Sequence, residues 1–127
     1  PRLLVAEDHE TNLAVLRAYF HSQNCHVTYA HDGLEAVERA LAEPPQLILM
    51  DVQMPRMDGL EAIKRLRSNS RTAQIPIVCV TALAMAGDRE RCLRAGATDY
   101  LCKPIDFRAL TATINHLLAG TGSDPRP

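Results

Sequence analysis

The sequence predicts a doubly wound α/β domain, with a five-stranded parallel sheet covered by helices on both faces. Three observations lead there. Short apolar runs alternate with stretches whose apolar residues recur at helical spacing, five times over. The run Leu47-Ile48-Leu49-Met50 is apolar throughout, as a strand buried on both faces must be. A length of 127 residues fits one domain with a real core. Right-handed crossovers restrict the topology, and the strand order 2-1-3-4-5 accommodates five such units.

In chain order, Leu3-Leu4-Val5-Ala6 reads as the first strand, with the acidic pair Glu7-Asp8 directly behind it. Residues 10 to about 23 carry a helical stripe of Leu13, Leu16 and Phe20. Residues 27–30 form a weaker strand, and Asp32-Gly33 turns into a helix with Ala36, Val37, Ala40 and Leu41 on one side. Pro44-Pro45 ends that helix. The third strand ends at Asp51, where Met54-Pro55 and Asp58-Gly59 stop it and start a helix marked by Leu60, Ile63 and Leu66. After a polar loop, residues 75–80 form a fourth strand ending at Thr81, and Gly87 or Asp88 opens a helix that Gly96 stops. Tyr100-Leu101-Cys102 is the fifth strand, ending at Lys103-Pro104. Phe107, Leu110, Ile114 and Leu117 mark the last helix. The domain is expected to occupy residues 1–119, with 120–127 as a flexible tail or truncated linker.

Composition narrows the function. Hydrophobic residues make up 46% and the net charge is −1, which argues against disorder and against a general nucleic-acid binder. No apolar run reaches the roughly 20 residues of a membrane span, and no signal peptide precedes the first strand. Cys25, Cys79, Cys92 and Cys102 lack CxxC spacing, so a reduced cytoplasmic protein is expected. Pro1 is not an initiator methionine, as in a fragment of a longer chain.

In the order 2-1-3-4-5, strands one, three, four and five end side by side. Glu7-Asp8, Asp51, Thr81 and Lys103 therefore converge on one sheet edge, where open α/β sheets bind ligands. Carboxylates crowded there repel, by about 4 kcal/mol for two unit charges 4 Å apart at an effective dielectric of 20. Either one carboxyl is protonated or a cation joins them. Oxygen-only ligands suit Mg²⁺, with Mn²⁺ as a second choice. Asp51 beside such an ion is placed to act as a nucleophile in phosphoryl transfer. Thr81 would donate a hydrogen bond and Lys103 a point charge to the phosphoryl oxygens.

These residues resemble the receiver domain of two-component response regulators, over Leu3 to about Leu118. The likeness rests on the acidic pair, Asp51 with Met54-Pro55-Arg56-Met57-Asp58-Gly59 behind it, Thr81-Ala82, Tyr100 and Lys103-Pro104, in that order. It implies a flavodoxin-like fold and an Mg²⁺-dependent switch that accepts a phosphoryl group from phosphohistidine onto Asp51. Such a domain catalyses its own phosphorylation and dephosphorylation and is not a conventional enzyme. Asp8 matches the principal acidic metal ligand, Glu7 stands beside it, often acting through water, and the Gln53 backbone carbonyl matches the third protein ligand. Thr81 and Tyr100 match the switch pair, and Lys103, before a cis proline, matches the phosphate-contacting lysine. The phosphoryl group is expected to draw Thr81 and Lys103 toward Asp51 and to bias residues 82–87 with Tyr100. Glu7-Asp8 in place of two aspartates, and the run from Thr81 to Leu93, look like receivers of hybrid sensor kinases or stand-alone receivers. The implied partners are a histidine kinase or histidine phosphotransfer protein, or a kinase core in the same chain, docking on the first helix near Asn12 and Val15. Neither nucleic acid nor membrane contact is implied.

Plainer roles compete. Asp8 or Thr11 can cap the first helix, Thr81 can be a strand residue, Tyr100 can be packing, and Asp58-Gly59 is turn chemistry. His9, His21, His26, His31 and His116 show no metal spacing, and the apolar Leu83-Ala84-Met85-Ala86 packs inward or meets a partner. A flavodoxin-like cofactor binder is disfavoured, because Glu7-Asp8-His9-Glu10 repels phosphate where such a protein cradles it. An aspartate-nucleophile phosphatase would resemble families with a second Asp two residues after the nucleophile; Gln53 stands there. A contact module working without phosphorylation would have no need of the acid–Thr–Lys set.

Overall fold

A computed structural model describes residues 1–82 and 87–121. The apolar loop segment 83–86 and residues 122–127 of the expected tail lie outside the described residues. The elements run β1 (Arg2–Ala6), α1 (Glu10–His21), β2 (His26–Ala30), α2 (Gly33–Ala42), β3 (Leu47–Asp51), α3 (Gly59–Arg67), β4 (Ile77–Thr81), α4 (Asp88–Ala95), β5 (Asp99–Cys102) and α5 (Phe107–Thr121). All strand pairs are parallel and the sheet order is β2-β1-β3-β4-β5, the predicted topology.

The two faces of the sheet build separate cores. Ile48, Met50, Ile77 and Cys79 point to the side covered by α2, α3 and α4, where Ala36, Ile63, Leu66 and Cys92 meet them. Leu47, Leu49, Val78 and Val80 point to the other side, against Leu16 and Phe20 of α1 and Leu110 and Ile114 of α5. Every residue of β3 and β4 is buried. Each such aliphatic side chain contributes about 1.5–3 kcal/mol, so the middle of the sheet is the least yielding part of the fold. Two central strands held this firmly give the residues at their carboxyl ends fixed positions.

Boundaries and caps differ from the sequence expectation in several places, beyond one-residue shifts at the starts of β2 and β5. Helix α1 stops at His21 instead of about Gln23, because Ser22 turns back on the Tyr19 carbonyl through both its N–H and its hydroxyl. Neither Asp8 nor Thr11 caps α1: the N-cap is His9, with no side-chain hydrogen bond. Strand β4 begins at Ile77, since Pro76 has no N–H for the ladder and offers only its carbonyl, to Ile48. Helix α5 runs through Gly120 and Thr121, past the expected end of the domain at 119. One glycine costs a helix only about 0.5–1 kcal/mol and does not stop it.

Gly59 matters for the site. A Cβ there would stand 2.2 Å from the Asp51 carbonyl oxygen, so only glycine lets α3 start directly against the end of β3. Its N–H donates to the Val52 carbonyl, while Asp58 caps the helix by accepting from the Glu61 N–H.

Candidate functional site

The site forms where β1, β3, β4 and β5 end. Asp51 closes β3 and is 3% exposed. Its Oδ1 accepts from the Gln53 N–H at 3.0 Å and its Oδ2 from Lys103 Nζ at 2.8 Å. Glu7, immediately after β1, is equally buried. Its N–H donates to Ala30, and its Oε2 accepts from the His9 N–H at 3.1 Å and from the Asn12 side chain at 3.4 Å. Lys103 Nζ also stands 3.3 Å from Glu7 Oε1, so one ammonium bridges two buried carboxylates. The Lys103 N–H donates to the Thr81 carbonyl and the Lys103–Pro104 bond is cis.

Charge crowding shows in the titration of these groups. Burial pushes the Asp51 carboxyl up to about 6; the Glu7 charge adds to this, while the hydrogen bonds from Lys103 and the Gln53 N–H oppose it. Burial also works against an ionised Glu7, but the His9 N–H, the Lys103 charge and Asn12 outweigh it, and its pKa is lowered. For Lys103, burial disfavours the ammonium, yet the two carboxylates hold its pKa above the ordinary value. Glu7 is thus the ionised partner of Lys103, and Asp51 keeps a proton more readily than an ordinary aspartate. At neutral pH Asp51 is still mainly ionised.

Asp8 is placed differently. Its Oδ1 is buried without a hydrogen-bond partner, a position in which a carboxylate oxygen needs a cation or a donor. Ligand atoms of Glu7, Asp8 and His9 lie within 4.8 Å of one another, the one such group among the described residues. Asp51 is not one of that group; it is linked to Glu7 through the Lys103 ammonium that both carboxylates share. Asp8 shares an open cleft with Gln53, Met54, Asp58 and Arg91. A carboxylate with an orphaned oxygen, on a cleft that Asp58 and Gln53 also line, fits a hard divalent cation.

Thr81 is buried at the end of β4, directly beside Cys102 in the sheet register, and it faces the same side as Cys79 and Tyr100. Tyr100 is half-buried, packs on the α4 side of the sheet and accepts a weak hydrogen bond from Cys102 Sγ at 3.2 Å. That contact and burial push its hydroxyl up to about 12, so it stays a neutral donor at physiological pH. Sequence reasoning gives three neighbours no role in the site itself: it reads Asn12 only for docking, sets His9 aside and gives Arg91 none. Asn12 lies one turn into α1 and reaches Glu7; Arg91 lines the cleft from α4; His9 sits against both acids. Only His9 left a readable signal, its place directly after the acidic pair.

A family model for the response regulator receiver domain matches residues 3–115. The chain belongs to that family. As a receiver it is 39% identical over 124 residues to the signal transduction histidine-protein kinase BarA of Escherichia coli (strain K12), an alignment covering 98% of this chain and 14% of BarA. The receiver thus spans only a small part of that curated relative. Among solved structures, it superposes with a TM-score of 0.87 and 36% identity on the receiver domain of the Pseudomonas aeruginosa PAO1 sensor histidine kinase PA1611, determined with a magnesium ion coordinated in its active site cleft. That match covers 93% of this chain and 97% of the other. A second, with TM-score 0.89 and 28% identity, is the receiver domain of Saccharomyces cerevisiae Ssk1 in co-crystals with the histidine phosphotransfer protein Ypd1, covering 96% and 91%. Phosphorylation and Mg²⁺ binding are typical of the family, whose members accept phosphoryl groups from histidine kinases or phosphotransfer proteins. No helix among the described residues is long and apolar enough to cross a membrane.

Proposed function

We propose that Asp51 is the phosphoacceptor of this receiver. The observation that carries the reading is a buried carboxylate at the end of the central strand, held by Lys103 at 2.8 Å and the Gln53 N–H at 3.0 Å beside a second carboxylate. An Asp51 oxygen attacks the phosphorus of a phosphohistidine. The P–O bond forms as the P–N bond breaks, and the imidazole leaves with the electron pair and takes up a proton. Asp8, Asp51 and the Gln53 carbonyl hold Mg²⁺, with Glu7 beside them; Mn²⁺ is an alternative ion. When bound, the ion supplies positive charge to the phosphoryl oxygens.

Lys103 then changes partner. Its ammonium moves from the Glu7–Asp51 pair onto a phosphoryl oxygen, and the Thr81 hydroxyl takes another. Thr81 and Tyr100 share one side of the sheet, so movement at Thr81 is relayed to the Tyr100 ring and the α4–β5 surface. The phosphodonor docks beside the site, over a cleft of about 210 Å³ that includes Asn12, Val15, Pro104, Ile105 and Phe107. Val15, 48% exposed, is the apolar anchor. The donor is a histidine kinase, a phosphotransfer protein or a kinase core of the same chain, and the setting is cytoplasmic. The receiver unit comprises residues 1–119 and the two helical residues after them.

The test is mass spectrometry after incubation with acetyl phosphate and Mg²⁺. One phosphoryl adduct is expected in the parent chain and none in Asp51→Asn. An adduct that persists in Asp51→Asn, or fast turnover of simple phosphate esters, would overturn the assignment. A switch further requires that partner affinity differ between the two phosphorylation states, since a ligand shifts an equilibrium only through differential affinity.

A further inference from the structure

We infer that Arg91 is a donor-binding residue of the phosphorylation site: its guanidinium takes the phosphoryl group of a small dianionic donor, an acyl phosphate, at the mouth of the cleft. This rests on the phosphoacceptor reading above and adds a charge that reading does not use. Arg91 lines the open cleft of about 560 Å³ that also includes Asp8, Gln53 and Asp58. That volume lies within the roughly 300–1,000 Å³ of small-molecule sites. Among the described residues lining the cleft, Arg91 carries the one positive charge.

Lys103 borders a different cleft, with Asn12, Val15 and Phe107. Helix α4 covers one face of the sheet, and α1 and α5 cover the other. The two cations therefore approach the end of β3 from opposite sides. A protein donor seated over the Asn12–Phe107 cleft leaves the Arg91 side open. A donor that enters there is small, and it must bring its negative charge past Asp8 and Asp58. Arg91 is the group that offsets those carboxylates.

The present contacts of Arg91 leave it available. Its Nη2 donates to Asp88 Oδ1 at 2.8 Å, three residues back on α4. The Asp88 side chain is 8% exposed and that of Arg91 55%, so the carboxylate is fixed while the guanidinium is wet. An ion pair this exposed steadies a helix only weakly. A cation so near the start of α4 also opposes the helix dipole, which favours acids there. Neither effect selects arginine at this position, whereas a phosphoryl dianion does, through two parallel N–H donors to two of its oxygens. Nη2 has a second hydrogen, so Arg91 can offer that two-pronged edge and keep Asp88.

The deciding measurement is the second-order rate constant for adduct formation with acetyl phosphate, on the whole chain at saturating Mg²⁺. Arg91→Gln should lower it by at least about tenfold, and Arg91→Lys, which keeps the charge and loses the fork, by about threefold. Arg89→Gln removes an equal charge two residues away, on a side of α4 turned from Arg91, and should stay within about twofold of the parent. Mg²⁺ should bind Arg91→Gln at least as tightly as the parent, because a cation has left the cleft. An unchanged rate constant in Arg91→Gln, an equal loss in Arg89→Gln, or weaker Mg²⁺ binding in Arg91→Gln overturns the role of Arg91 and leaves Asp51 as the proposed phosphoacceptor. No adduct in the parent chain overturns both.

Discussion

Asp32 and Asp51 both stand where a strand gives way to a loop, and both meet a cation, yet the fold treats them in opposite ways. Asp32 caps α2: its Oδ1 accepts from the Glu35 N–H at 2.8 Å, and Arg56 reaches its Oδ2 at 3.0 Å. The capping N–H comes first, with Arg56 behind it, and together they hold the Asp32 carboxyl below its ordinary pKa. Asp51 lies deeper, beside Glu7, and its pKa is raised. The first carboxylate stabilises the chain that carries it, whereas the second is kept ionised at a cost to that chain. Under the proposed function, such a site accepts a phosphoryl group and a divalent ion and so holds negative charge that folding alone would not select.

Removing the costly charge should give the largest functional loss together with a gain in stability. Asp51→Asn is expected to abolish phosphoryl uptake while raising the melting temperature in the presence of a chelator. The gain corresponds to about 1–2 kcal/mol at pH 7, allowing for sharing of charge with Glu7 and Lys103. The sign follows from the raised pKa. Between about 3.9 and about 6 the folded state binds the extra proton, so stability falls as pH rises through that window. The gain in Asp51→Asn is therefore full above the window and absent below it. A melting temperature lower than the parent's at pH 7 would refute the crowding argument.

Lys103→Met attacks the same balance from the other side. It leaves Glu7 and Asp51 buried and facing each other without a counter-charge, and it should destabilise the chain by about 2–3 kcal/mol at pH 8. Lowering the pH should recover much of this as a proton joins the pair. Gly59→Ala should cost about 1–3 kcal/mol by forcing its new Cβ away from the Asp51 carbonyl. It should also slow phosphorylation, because the backbone that must yield carries Asp51, the proposed phosphoacceptor. Denaturant titration and the acetyl phosphate assay read the two effects separately.

How far the sequence revealed all this depends on the kind of signal. Leu47-Ile48-Leu49-Met50 could be read as a central strand because burial on both faces leaves a continuous apolar run, and the observed β3 is buried throughout. The meeting of Glu7, Asp51 and Lys103 followed from strand order alone, since parallel strands bring their carboxyl ends to one edge. What stayed hidden depends on rotamers and on single turns. Asn12 reaches Glu7 only because α1 starts where it does, and no pattern in the chain marks that contact. His9 was set aside with four other histidines because metal spacing was sought along the chain, while its carboxylate partners are its immediate neighbours. Ser22 ended α1 early through a local back-bond that competes with helix propagation.

The smallest effect sharpens the comparison most, because it concerns a carboxylate with no part in the chemistry. Asp32→Ala removes the α2 cap and should cost about 1 kcal/mol, whereas Asp32→Asn, which can still accept from the Glu35 N–H, should cost less. Arg56 lies exposed at the surface, so its loss should leave the melting temperature nearly unchanged even though its backbone sits at φ 64 opposite Asp32. The pH dependence has the sign opposite to that of Asp51. The folded Asp32 pKa is depressed, so its contribution is fully present above the unfolded value of about 3.9 and is lost as pH falls through the folded one. In acid titrations, the stability of the variant minus that of the parent should therefore become more negative as pH rises for Asp32→Ala, and more positive as pH rises for Asp51→Asn. If both differences moved in the same direction, the two carboxylates would be doing the same thing, and the division between a structural and a functional aspartate would be wrong.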